Sequence, residues 1–115
     1  MKSTDIILNG KSLFAKAEEA TLPWERMRGL LGIEALDAEY ALVFKHCPRV
    51  HCKGMKIPID VVSLDRAGTV LDARCVNPGE MGPALKGCSA VIEMRAGRAA
   101  EVGIEKGREI VLKRR

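Results

Sequence analysis

The chain has 115 residues, enough for one hydrophobic core and too few for two. Hydrophobic residues make up 47% and charged residues 30%, the balance of a soluble globular domain, and only four residues are aromatic, so the core must be aliphatic. The net charge of +4 is modest and no basic patch is interleaved with aromatic residues, so nucleic acid is not an expected partner.

The opening stretch, MKSTDIILNGKSLF, lacks the basic, apolar, small-residue order of a secretory signal. No apolar run approaches the roughly 20 residues that span a bilayer. The expected location is cytoplasmic, and in that reducing setting the four cysteines are read as free thiols or metal ligands. Ile6-Ile7-Leu8 and Ser12-Leu13-Phe14-Ala15 flank Asn9-Gly10, which predicts a hairpin around a turn that tolerates positive φ. A short helix follows. Thr21 is positioned to cap it, Pro23 suits its first turn, and Leu22, Met27, Leu30 and Leu31 can form one apolar side before Gly29 and Gly32 end it.

From there the chain turns β-rich. Strands are predicted at Tyr40 to Phe44, Ile59 to Leu64, Thr69 to Val76, Ala90 to Met94 and Glu109 to Leu112, with Gly and Pro clustered between them. Residues 97–103 can hold one helical turn around Ala99-Ala100. The terminal Lys113-Arg114-Arg115 reads as a solvated end. Short strands with turns between them predict a single domain over residues 1–115. It should be mainly β, a small antiparallel sandwich or barrel with one short N-terminal α-helix.

HCPRVHC, residues 46–52, repeats a His-Cys pair in a chain with only two histidines. In a strand, residues five apart face opposite sides. In a helix they sit about 140° apart. Cys47 and His51 are the better-spaced pair, but a strand holds them ~13 Å apart, and Pro48 disfavours helical geometry at Cys47. A shared metal would need a turn around Pro48-Arg49 and further ligands from elsewhere, and no Cys-x-x-Cys unit supplies them. Downstream, Ile57 to Asp65 is apolar on both faces when read as a strand, with Ile57, Ile59 and Val61 on one side and Val62 and Leu64 on the other beside Asp60. A central strand would desolvate Asp60, which then needs hydrogen bonds or a cation; His51 and Arg28 are the expected partners.

VHCKGMKIPIDVVSLDRAGTV, residues 50–70, resembles the central signature of the domain-of-unknown-function 192 family. Members carry a Trp-Met-Lys-Asn or a His-Thr-Phe-Gly-Met version of this stretch, followed by Pro-(Ile/Leu)-Asp and a hydrophobic run. ERMRGLLG, from Glu25 to Gly32, is similar to the family's Arg-x-Arg-Gly-Leu-(Leu/Met)-Gly block, and VIEMRAGRAAEVGIEKG, from Val91 to Gly107, to its C-terminal block. The resemblance covers about residues 22–112. It implies a compact β-rich fold with a short helix and no established activity, and many relatives are exported or membrane-anchored. Carried over position by position, the family's polar set falls on Arg28, Cys47, His51, Met55, Asp60 and Glu93. The chain departs from the pattern at Cys52, where Thr is usual, at Lys53, where an aromatic is usual, and at Ser63, which replaces Phe.

Each of these residues has a structural reading beside a chemical one. His51 is read as a histidine bridging its loop to Asp60, with general-base chemistry as the alternative. Cys47 is read as a small buried thiol, or as a nucleophile if His51 lowers its pKa. Met55 packs or serves as a soft ligand. Arg28 complements the helix dipole, pairs with Asp60 or holds a ligand carboxylate. Glu93 alternates with Ile92 and Met94 and should face away from them, either to solvent or into the polar cluster. The preferred expectation is a non-catalytic domain that binds a small molecule or serves as an accessory protein, with a polar site around residues 47–60. The alternatives are a small hydrolase or thiol-dependent enzyme using His51 with Cys47 or Asp60, and a Cys/His/Met site for copper(I) or zinc built on Cys47 and His51. The sequence names no cofactor, oligomeric state or physiological partner.

Overall fold

Eight strands and two short helices form in the computed structural model, which describes residues 1–115. β1 (Lys2–Leu8) turns at Asn9-Gly10 into β2 (Lys11–Ser12). Both turn residues have positive φ, 51° and 77°, as an Asn-Gly hairpin requires. β3 (Lys16–Glu19) pairs antiparallel with the start of β1 and parallel with β4 (Tyr40–Lys45); α1 (Pro23–Arg28) fills the connection between them. Then come β5 (Ile59–Leu64), β6 (Val70–Val76), β7 (Ala90–Arg95), α2 (Arg98–Glu101) and β8 (Ile110–Arg114).

The sheet runs β2-β1-β3-β4-β7-β5-β6, with β8 on the other edge of β1. Its two ends also meet. The Val70 amide donates to the Arg108 carbonyl at 2.8 Å, and the Ile110 amide to the Gly68 carbonyl at 2.8 Å. Those bonds join the start of β8 to the start of β6 and curl the sheet into a half-barrel. The fold is mainly β, as predicted. No helix is long and apolar enough to cross a membrane.

β5 sits between β6 and β7, and all six of its residues are buried. Alternation sends Val62 and Leu64 to one face, with Ile92 and Met94, in a cluster of 15 buried residues. Ile59 and Val61 go to the other face, with Leu42, Phe44 and Val91, in a cluster of 10. Each fully buried aliphatic contributes about 1.5–3 kcal/mol relative to exposure. A strand that supplies both clusters is therefore the spine of the molecule.

Five expectations need correction. The hairpin's second strand is only two residues long, because the chain leaves β1 after Ser12 to bury Phe14 and form β3, a strand the sequence did not announce. The β3–β4 pair is parallel in an otherwise antiparallel sheet. Thr21 does not cap α1 with its side chain. The Glu25 carboxylate does the work instead, accepting from the Thr21 and Leu22 amides at 3.1 and 3.0 Å, while the terminal ammonium of Met1 also pairs with it and holds it down to about 2. α1 buries no side chain: of the predicted apolar side, Leu22 and Met27 are 42% and 79% exposed, and Leu30 is buried only beyond the helix's end. Finally, the basic C-terminus is no loose end. Arg114 reaches both oxygens of buried Glu19, at 3.0 and 3.1 Å, and Arg115 bonds Asp5 at 2.9 Å.

Candidate functional site

The site is built where β4 ends. His46 takes a positive φ of 53°, which breaks the β4–β7 ladder and turns the chain into a loop. That loop is sewn to residues 79–82. The Gly82 amide donates to the Val50 carbonyl at 2.8 Å, the Cys52 amide to the Glu80 carbonyl at 2.8 Å, and Arg49 Nε to the Gly82 carbonyl at 2.7 Å. Gly82 eases the approach, since a Cβ there would lie 3.0 Å from the Val50 carbonyl oxygen, a tight contact.

The two His-Cys pairs part company on this scaffold. Cys52 is wholly buried in the smaller apolar cluster, and burial pushes its thiol up to about 11. His46 opens on the far side of the loop, in a crevice with Arg66 and Cys88. Cys47 and His51 line a cavity of about 140 Å³ between the end of α1 and the loop. A cavity of roughly 150 Å³ is large enough for benzene.

Three arginines, Arg26, Arg28 and Arg49, line that cavity, and Leu30, Leu31, Phe44, Val50 and Met55 give it an apolar wall. Arg28 is exposed and has no carboxylate within ion-pair distance. Arg26 donates only to the His46 carbonyl, at 3.4 Å. Met55 is buried against the apolar cluster. The Cys47 thiol donates to the Arg49 carbonyl at 3.2 Å, and no hydrogen bond joins it to His51. His51 is exposed, and its backbone bridges to Met81.

Glu93 closes the cavity from β7. It stands opposite Leu42 and Val61, on the face away from Ile92 and Met94, as alternation predicts. It is 4% exposed and makes no hydrogen bond or ion pair, and burial alone pushes its carboxyl up to about 7. Every side-chain nitrogen or oxygen wholly shut from solvent in this molecule has a partner, so the unpaired oxygens of Glu93 must reach the cavity. Gly29 lets the end of α1 approach it. A Cβ at that position would lie 3.3 Å from Phe44 Cζ and 3.8 Å from Glu93 Oε1, and its φ of 50° with ψ of −124° disfavours any residue with a side chain.

Five of the six residues singled out in the sequence, Arg28, Cys47, His51, Met55 and Glu93, therefore line one cavity. Asp60 does not. It faces the larger cluster, where Oδ2 accepts the Ala99 amide at 3.0 Å at the start of α2. The predicted pairing of Asp60 with His51 or Arg28 is wrong, because alternation along β5 puts Asp60 on the opposite face of the sheet. No group of three or more His, Cys, Asp or Glu side chains is placed to hold a metal ion. Sequence reasoning missed Arg26 and Arg49 as cavity residues. The Arg-x-Arg spacing before Gly29 was the one visible signal for the first; Arg49 offered none.

No curated protein matches the chain. Solved crystal structures that share its fold include these two. One is of a protein of unknown function from Novosphingobium aromaticivorans, 23% identical, aligned over 95% of this chain and 83% of its own with a TM-score of 0.77. The other is of a proposed transcription regulator from Sinorhizobium meliloti, 18% identical, aligned over 98% of this chain and 92% of its own with a TM-score of 0.68. The model of the family described as an uncharacterized ACR, the domain of unknown function 192, matches residues 6–112. With the signature blocks placed around one cavity and the family match spanning nearly the whole chain, this protein belongs to the domain-of-unknown-function 192 family.

Proposed function

We propose that the protein is a non-catalytic small-molecule-binding domain whose site is the cavity between α1 and the loop of residues 46–58. The observation that supports this reading is Glu93, a buried carboxyl with no partner that opens into a walled cavity. Burying such a group is costly unless something bonds it. An apolar pocket with a few converging polar groups is the usual form of a ligand site. Fold likeness adds nothing here, since one fold hosts many functions.

A thiol-dependent catalyst at the same cavity is the second reading, favoured by the position of Cys47 on its wall. Its thiol is engaged by a backbone carbonyl and has no base in contact, so binding takes precedence. Rapid alkylation of Cys47 below pH 7 would reverse that order. All four cysteines are free thiols.

The test is an amide-shift titration by NMR with a panel of short carboxylates, short amines and amino acids. A true occupant should move Gly29, Leu30, Cys47, His51 and Glu93 together. If every member of the panel leaves these amides still, or moves amides elsewhere, the reading fails.

A further inference from the structure

Resting on that reading of the cavity, we propose that its occupant is a small aliphatic amino acid, with the carboxylate on Arg28 and Arg26, the ammonium on the Glu93 carboxyl, and the side chain against Leu30, Phe44 and Met55. The charges of the cavity carry the argument. Three arginines and one carboxyl line it, yet no arginine comes within ion-pair distance of Glu93, and Arg28 has no acid of its own. The fold thus holds opposite charges apart across a small space, with no carboxylate on any of the three arginines and no cation on Glu93. A ligand with both charges satisfies both ends.

The alternatives each leave one end wanting. A simple carboxylate would pair with Arg28 and bring a second negative group towards Glu93. A simple amine would pair with Glu93 and add to the positive charge of the three arginines. The wall is aliphatic apart from Phe44, and about 140 Å³ suits a branched side chain of three or four carbons better than a larger one.

Glu93 also gives the proposal a signature. Burial pushes its carboxyl up to about 7, so in the empty cavity it carries a proton part of the time at neutral pH. An ammonium group beside it favours the ionised form and expels that proton. The other titratable groups around it are Arg26 and Arg28 from α1, Tyr40 from β4, and Cys47, Arg49, His51 and Cys52 from the loop. Replacing Glu93 itself separates its proton from theirs.

The experiment is isothermal calorimetry at pH 7 with L-valine, isovalerate and isobutylamine, in PIPES and in Bis-Tris. The last two probes are valine without its ammonium and valine without its carboxylate. Valine should bind at least about tenfold more tightly than either, with release of about half a proton. Glu93→Gln should abolish the release and bring valine down to the affinity of isovalerate. Arg28→Ala should weaken valine and isovalerate alike. Isovalerate binding as tightly as valine, without proton release, would overturn the amino acid and make this an acid site. Isobutylamine binding as tightly as valine would make it an amine site. Either result leaves the cavity reading standing. No binding by any of the three overturns the amino acid, and the amide-shift panel then decides separately whether the cavity binds anything.

Discussion

Asp60 and Glu93 lie on neighbouring hydrogen-bonded strands, β5 and β7, and both are buried, at 6% and 4% exposure. A terminus of a short helix lies over each. α2 begins against Asp60 and gives it the Ala99 amide at 3.0 Å, with Ala99 itself packed into the larger cluster. α1 ends against Glu93 and presents only Gly29, with no donor. Burial is therefore not what separates a structural acid from a site acid. The distinction is whether the fold supplies the hydrogen bond, and on that criterion Asp60 is a helix anchor and Glu93 is open to a ligand.

The largest effect expected from this contrast is on the pH dependence of stability. The Glu93 carboxyl rises from an ordinary 4.5 to about 7 on folding, so between those values the folded state binds the proton that the unfolded state has lost. Stability from this group is fully present below about pH 4.5 and is lost as pH rises through 7. The gap is worth roughly 3 kcal/mol. Glu93→Gln removes the titration. Urea denaturation from pH 4 to 8 should show the variant gaining on the parent by up to that amount, with the whole gain complete by about pH 8. A difference between the two proteins that stays flat with pH would mean Glu93 has a partner.

Asp60→Ala tests the other acid. It leaves the Ala99 amide buried and unbonded, and should cost about 2 kcal/mol by urea denaturation at neutral pH. Asp60→Asn keeps an acceptor oxygen and should cost about half as much. The calorimetric response to valine should be the same in both variants as in the parent, since Asp60 faces away from the cavity.

How much of this contrast the sequence contained depends on the link in question. Alternation placed Asp60 with Val62 and Leu64, and Glu93 opposite Ile92 and Met94, because period two is a local property of a strand. Alternation could not decide the expected Asp60–His51 bond, because it does not say which side of the sheet the loop covers. The loop's path depends on the positive φ at His46 and on the bonds to residues 79–82, pairings between segments about 30 residues apart that no local pattern encodes. β3 was illegible for a similar reason. Lys16-Ala17-Glu18-Glu19 has little strand propensity, and it is a strand because the edges of β1 and β4 are on either side of it. The apolar residues of α1 suggested a buried face that the fold does not use, since Leu30 enters the core only after the helix has ended.

Gly29→Ala acts where α1 meets Glu93. The left-handed φ and the contact with Phe44 should cost about 1–2 kcal/mol. The new methyl would also stand near Glu93 Oε1, so valine affinity should fall with stability. A loss of stability with full affinity would show that the end of α1 is not a wall of the site.

Trp24→Ala should have the smallest effect, and it examines the other half of α1. Trp24 is 67% exposed, lines no part of the cavity, and belongs to a helix held by the Glu25 cap and not by a buried face. Exposed side chains away from special contacts usually change stability by less than about 0.5 kcal/mol, and that is the shift expected in urea. Ala99→Gly, on the helix that anchors Asp60, makes the matching comparison; it removes a buried methyl and loosens a helical residue, and should cost about 1 kcal/mol or more. If Trp24→Ala proves as costly as Ala99→Gly, the face of α1 is packed against something in solution. The end of the helix over Glu93 would then be fixed by that contact as well as by Gly29.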